Sequence, residues 1–90
     1  MEITFSPKAQ EDIEYWKKSG NQVIMNRISI LLRDIAVHPY SGKGKPEALK
    51  YEFSGYWSRR INTIHRILYT VRKKENDIYI LALRYHYTKK

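Results

Sequence analysis

Ninety residues without a cysteine make one domain, spanning 1–90, with neither a disulfide nor a thiolate metal site open to it. With 42% hydrophobic residues the chain is too apolar for a disordered segment, its apolar runs are too short to span a membrane, and Met1 to Phe5 lack a secretion signal, so a cytoplasmic protein without a membrane partner is expected. The net charge of +8 is lopsided: residues 1–36 hold five basic and five acidic groups, whereas residues 37–90 hold twelve and four, together with seven of the eight tyrosines, which favours a polyanion or an acidic protein as partner.

Along the chain, Glu2 to Phe5 alternates, with Ile3 and Phe5 on one side, and predicts a short strand. Ser6-Pro7 supplies a cap and a first helical residue. Ala9, Ile13 and Trp16 follow at helical spacing, Lys17 and Lys18 suit the negative helix end, and Gly20 stops it. Asn21 caps a second helix whose stripe is Ile24, Ile28, Leu31, Leu32 and Ile35, and His38-Pro39 ends it. The short connection predicts an antiparallel helical hairpin.

Residues 39–46 contain two prolines, two glycines and two lysines and form a loop. Beyond it the period switches to two. Leu49, Tyr51 and Phe53 alternate, as do Trp57 to Ile61 and Ile67, Tyr69 and Val71. Ile78 to Tyr87 forms a long and nearly continuously apolar strand, which marks it as central, and Lys73 to Asp77 forms the hairpin loop before it. The predicted fold is α+β: a strand, a two-helix hairpin, then an antiparallel meander of three to four strands, with both helices on one sheet face. The other face then carries Arg, Lys, His and Tyr side chains.

A loop over 73–77 sets Val71 opposite Tyr79 and Arg66 opposite Arg84, with His86 near Ile64. Arg66, Arg84 and His86 then converge on one patch, where a phosphate between the two guanidiniums would relieve their repulsion. A slip of one residue would separate them. Moving a phosphodiester from its 5′-oxygen to the neighbouring 2′-hydroxyl needs a base, an acid and a group that stabilises the pentavalent phosphorane. Glu47 is the only acid between Asp34 and Glu52 and stands among Lys43, Lys45 and Lys50, which suits a base, although a surface ion pair is its plainer role. Histidine titrates near neutral pH, and His86 is the candidate acid. His65 falls at a turn, where it can bond the backbone, and His38 reads as a helix terminator. Tyr56, Trp57, Tyr85 and Tyr87 are candidates to stack on splayed bases, whereas Trp16, Phe53 and Tyr69 suit the core.

The runs Gly42-Lys43-Gly44-Lys45-Pro46-Glu47-Ala48-Leu49-Lys50, Ser54-Gly55-Tyr56-Trp57-Ser58-Arg59-Arg60-Ile61, His65-Arg66 and Arg84-Tyr85-His86-Tyr87 closely resemble the YoeB (Txe) toxins of the RelE superfamily of toxin–antitoxin systems. The resemblance covers essentially residues 1–87, including the Tyr15-Trp16 pair. It implies the small RelE-like, microbial-ribonuclease-like fold and a metal-independent endoribonuclease, without a cofactor, that cuts mRNA in the ribosomal A site and so blocks translation. By resemblance Glu47 is the general base, His86 the general acid and Arg66 the phosphorane stabiliser. Lys50 and Arg60 would bind phosphate or assist, and Tyr87 would orient or stack on the substrate; Arg84 is a candidate phosphate ligand through the convergence above. Implied partners are mRNA on the ribosome with its rRNA, a cognate antitoxin, a second toxin copy in a homodimer, and operator DNA through the antitoxin complex. Two positions depart from the family: Ile64 stands where a glutamate often precedes the His-Arg pair, and Thr88-Lys89-Lys90 extend past the His-Tyr pair. Relatives on this fold that poison DNA gyrase, and plain RNA-binding modules, are the alternatives. A gyrase poison has no need of Glu47 with a His-Tyr terminus.

Overall fold

The computed structural model describes residues 1–84. The expected acid His86 and the tyrosines Tyr85 and Tyr87 lie outside the described residues. The elements run β1 (Glu2–Phe5), α1 (Pro7–Ser19), α2 (Gln22–Val37), β2 (Glu47–Ala48), β3 (Trp57–Arg60), β4 (Arg66–Arg72) and β5 (Asp77–Ala82).

Both helices begin and end where the sequence places them. The Ser6 side chain accepts from the Ala9 amide at 3.0 Å, Pro7 opens α1, and Gly20 closes it at φ +69. Asn21 caps α2 by accepting from the Ile24 amide, and the His38 amide donates to the Asp34 carbonyl at its end. The buried stripe of α2 is Ile24, Ile28, Leu31 and Ile35, close to the expected one. The stripe of α1 is Ala9, Asp12 and Trp16: a carboxylate occupies a position where an apolar side chain would be expected.

The five strands form one sheet in the order β1-β5-β4-β3-β2. β1 runs parallel to β5, and the remaining neighbours are antiparallel. β5 is therefore central, as its apolar run predicts. Both helices pack on one face, where Ile3, Phe5, Trp57, Ile67, Tyr69, Val71, Ile78 and Ile80 meet Trp16, Ile28, Leu31 and Ile35. Alternation turns Glu47, Ser58, Arg60, Arg66 and Thr70 to the opposite face.

The structure departs from three expectations. The alternation of Leu49, Tyr51 and Phe53 does not form a strand. β2 is two residues long, and Tyr51–Phe53 is a turn of 3₁₀-helix with Tyr51 at φ +61 and largely exposed. The hairpin loop is one residue shorter than predicted, because Arg72 and Asp77 close the ladder as a pair, 2.8 Å and 2.6 Å apart through two hydrogen bonds. Val71 thus faces Ile78 rather than Tyr79, and a bulge beside Leu68/Tyr69 absorbs the extra residue so that Leu68 faces Ala82. Among the described residues, β5 stops at Ala82 instead of continuing past Arg84. Its next residue is claimed by α1: the Leu83 amide donates to Asp12 Oδ2 at 2.9 Å, and its carbonyl accepts from the Trp16 indole at 2.9 Å. With both backbone groups taken by helix side chains, Leu83 has none left for a neighbouring strand.

Candidate functional site

β2, β3 and β4 bring three of the expected site residues onto one face. Glu47 faces Ser58, Ser58 faces Leu68, and Arg60 faces Arg66. Side chains opposite each other on neighbouring strands have Cβ atoms about 5 Å apart, and diagonal ones about 7–8 Å. Arg60 and Arg66 are therefore adjacent, with Glu47 diagonal to Arg60. Glu47 and Arg60 are exposed, and Arg66 is half-buried. The patch is open to solvent and accessible to a large polyanion.

The electrostatics of Arg66 record this arrangement. Burial pulls its guanidinium below the usual arginine range, the Arg60 charge pulls it further, and the Glu47 carboxylate opposes both. Two guanidiniums held side by side with a carboxylate nearby have the charge and donors that a phosphate gaining negative charge would need. Lys50 lies just beyond β2 and is exposed.

Arg66 is aimed by a turn. Asn62 Oδ1 accepts the amides of Ile64 and His65 at 2.9 and 2.7 Å, an Asx-type turn. Arg66 Nη1 donates to the carbonyls of Asn62 and His65 at 2.9 and 3.2 Å. Ile64, at the position where the family often has a glutamate, stands exposed at the tip of that turn. Backbone carbonyls therefore hold the arginine in place of a carboxylate. The His65 ring stands edge-on to Trp16, with centroids 4.8 Å apart, and its carbonyl also accepts from the amides of Ile61 and Asn62. It is a structural residue, as its place at the turn suggested.

Arg84 does not pair with Arg66. With β5 ended at Ala82, the expected cross-strand pairing has no ladder, and the Arg84 guanidinium lies 3.7 Å from the centroid of the Tyr15 ring on α1. Trp57 is not on the Glu47 face either. Alternation sends it to the helix side, where it packs on the core and against Tyr40 at 5.1 Å, and Tyr56 is half-buried edge-on to Phe53. Trp57 is therefore no stacking platform for a base on the Glu47 face.

Arg59 is the residue that sequence reasoning missed. It is fully buried on the helix side of β3 and bonds to the loop between α2 and β2. A signal was available: Arg59 shares strand parity with Trp57 and Ile61, a charge in the middle of an apolar row.

Comparison with known proteins shows the family. Residues 5–87 match the family described as the YoeB-like toxin of bacterial type II toxin–antitoxin systems. The curated Toxin YoeB of Streptomyces coelicolor is 45% identical over 87 residues, covering 97% of this chain and 100% of that one. Toxin YoeB of Escherichia coli K12 is 39% identical over the same shares. Among solved structures, a YoeB/ParE toxin from Agrobacterium tumefaciens superposes with a TM-score of 0.90 at 33% identity, covering 97% of this chain and all of that one. The toxin in a heterotetrameric YoeB-YefM complex from Staphylococcus aureus superposes with a TM-score of 0.83 at 43% identity, over 97% and 98% of the two chains. The match over residues 5–87 and the full-length likeness to curated relatives make the chain a member of the YoeB-like toxin family of bacterial type II toxin–antitoxin systems.

Proposed function

We propose that the protein is an endoribonuclease that cleaves mRNA in the ribosomal A site without a metal and so stops translation. The observation that carries this reading is the placement of Glu47, Arg60 and Arg66 on one open sheet face. Glu47 takes the proton of a 2′-hydroxyl, the 2′-oxygen attacks the adjacent phosphorus, and the bond to the 5′-oxygen breaks. His86 gives the leaving 5′-oxygen its proton, so that a 2′,3′-cyclic phosphate and a free 5′-hydroxyl result. Arg66, seconded by Arg60, stabilises the doubly charged phosphorane, and donors fixed before reaction are worth most there. Lys50 holds a flanking phosphate, Tyr87 orients or stacks on the base, and Arg84, beyond the end of β5, adds to the positive charge that attracts the RNA.

In the cell, a cytoplasmic antitoxin would cover this face. Relatives from Staphylococcus aureus occur as a YoeB-YefM complex and as a YoeB dimer, which supports a cognate antitoxin and a homodimer here. Operator DNA would then be bound only through the antitoxin. The test is a purified translation reaction on a defined mRNA, with cleavage ends mapped by primer extension for wild type, Glu47→Gln and His86→Ala. Cuts within the A-site codon that need ribosomes and vanish in both variants are expected. A wild type that leaves the message whole while translation proceeds refutes the nuclease and returns the fold to a gyrase poison or a binding module.

A further inference from the structure

Arg59 is the most heavily committed side chain among the described residues. A guanidinium has five N–H groups, and this one uses all five. Nε donates to the Tyr69 hydroxyl at 3.0 Å. Nη1 donates to Asp34 Oδ2 at 2.6 Å and to the Lys43 carbonyl at 2.9 Å. Nη2 donates to the Ser41 carbonyl at 2.8 Å and to the His38 carbonyl. The two partners extend the net: the Tyr69 hydroxyl donates to the Pro39 carbonyl at 2.7 Å, and Asp34 Oδ2 accepts the Lys43 amide at 3.0 Å. The Arg60 amide then captures the Gly44 carbonyl at 2.6 Å. Carbonyls at 38, 39, 41, 43 and 44 are thus tied to β3 and its neighbour β4, three of the five through the Arg59 side chain.

Holding the fold together does not require this. A buried ion pair is costly to desolvate, and an apolar residue of similar volume commonly serves a core as well or better. What a guanidinium does and an apolar side chain does not is fix the carbonyls of an irregular loop. That loop delivers Glu47. β2, which carries Glu47, is two residues long and exposed, too short to place itself. Its position is set by Ser58 on one side and by the loop that feeds it, which is pinned at Gly44, three residues upstream. One strand therefore does two things on alternate faces: Arg60 faces the phosphate, and Arg59, behind it, holds the loop that brings the base to Arg60.

We infer that Arg59, with Asp34 and Tyr69, is a positioning residue for RNA cleavage: the clamp it forms on residues 38–44 sets the Glu47 carboxylate against Arg60 and Arg66. The inference rests on the nuclease reading above. It sorts residues that sequence motifs run together, because the adjacent arginines of Ser58-Arg59-Arg60-Ile61 have different duties, one toward substrate and one toward the loop.

The test uses the full chain in the ribosome-dependent cleavage reaction, with four variants. Arg59→Lys keeps the charge and loses the fork. Asp34→Asn removes the counter-charge. Tyr69→Phe removes only the hydroxyl. Gly42→Ala places a Cβ 2.2 Å from Asp34 Oδ2 at φ +113 and displaces the carboxylate without touching Arg59. A misplacement of about 1 Å at a reacting group costs about 100-fold in rate. The expected result is a kcat lowered on the order of 10- to 100-fold in Arg59→Lys and Gly42→Ala, and less in Tyr69→Phe, with KM for programmed ribosomes within about twofold of wild type. Amide exchange at Lys43 and Arg60 should accelerate in the same variants while the amides of β5 keep their protection.

Folded variants whose kcat stays within about twofold of wild type overturn the inference. So does a rise in KM that accounts for the whole loss, since the loop would then be a ribosome-binding element and not a mount for the base. If Arg59→Lys does not fold, Tyr69→Phe and Gly42→Ala decide on the same criteria. A wild type that cuts nothing refutes the nuclease reading itself, whereas a cutting wild type with unaffected variants refutes only the positioning role.

Discussion

Replacing Asp12 with alanine should cost the domain about 3 kcal/mol. Asp12 is 1% exposed and accepts two hydrogen bonds, from the Leu83 amide at 2.9 Å and from Lys8 Nζ at 2.6 Å. Truncation leaves the Leu83 amide buried with no acceptor, which costs about 1–3 kcal/mol, and removes a hydrogen bond to a charged group worth about 1.5–3 kcal/mol. The two overlap because they concern one bond. The Lys8 contact adds little, since Lys8 reaches it from the surface. For a domain of this length each kcal/mol shifts the midpoint by about 4–8 °C, so Tm should fall by about 12–24 °C. Urea unfolding monitored by far-ultraviolet circular dichroism measures the loss, with an unchanged m-value showing that the unfolded state is not the cause. Trp16→Phe removes the other bond to Leu83, and the two changes share that residue, so the double mutant should depart from additivity by at least about 0.5 kcal/mol. If the proposed nuclease reading holds, message cleavage by folded Asp12→Ala should also be reduced, because Leu83 stands three residues before the proposed acid His86 in the chain. A change in stability below about 0.5 kcal/mol would show that the Leu83 amide does not depend on Asp12 and would refute the reasoning.

Three further outcomes follow from other parts of the fold. Asp77 is held down to about 2 by hydrogen bonds from Arg72 and then Thr4; since its unfolded value is near 3.9, the stabilisation is complete above that pH and fades as pH falls toward 2. Arg72→Ala should therefore lower the urea midpoint at pH 6 and hardly at all at pH 2, and an equal loss at both would contradict the assignment. Gly44→Ala would set a Cβ 2.9 Å from Leu31 Cδ2 and 3.1 Å from the Arg60 carbonyl at φ +79, so about 1–3 kcal/mol of destabilisation is expected by calorimetry, and a neutral effect would mean the loop is not seated there. Ser6→Ala loses the cap to Ala9 and the bond from Oγ to the Leu81 carbonyl at 2.7 Å, for about 1–2 kcal/mol in urea unfolding; a loss of a few tenths only would place water at both groups instead.

The elements that sequence reasoning read well are those whose signals are local. Ser6-Pro7 and Gly20 bracket α1, and the stripe from Ile24 to Ile35 needs only its own spacing. The interior place of β5, between β1 and β4, follows from its nearly continuous apolar run, although the helices cover only one face of the sheet. What failed depended on partners far away in the chain. Arg59 looks like a surface charge until residues 34, 38, 41 and 43 are brought around it. Asp12 looks like a solvated helix acid until Leu83 arrives, and that same contact ends β5 before Arg84 and undoes the expected Arg66–Arg84 pair. Tyr51 and Phe53 kept strand parity by chance inside a turn. The face bearing Glu47, Arg60 and Arg66 was legible because the motif runs carried it, though its geometry needed the registers of β2, β3 and β4.

The parallel pairing of β1 with β5 bears on the birth of the protein. Glu2 to Phe5 are made first, yet their neighbours are Asp77 to Ile80, so the sheet closes across nearly the whole length of the chain. Until those residues leave the ribosome, α1 and α2 lack Ile78, Ile80 and Leu83, and their apolar stripes have only part of a surface to bury against. Pairings so distant in sequence form late, because the loop they close must be ordered before they stabilise anything. A nascent chain that has both helices and even the Glu47 loop is therefore still unfolded, and it matures only as its last strand emerges. The order of synthesis thus leaves the sheet to be completed by the last strand to emerge.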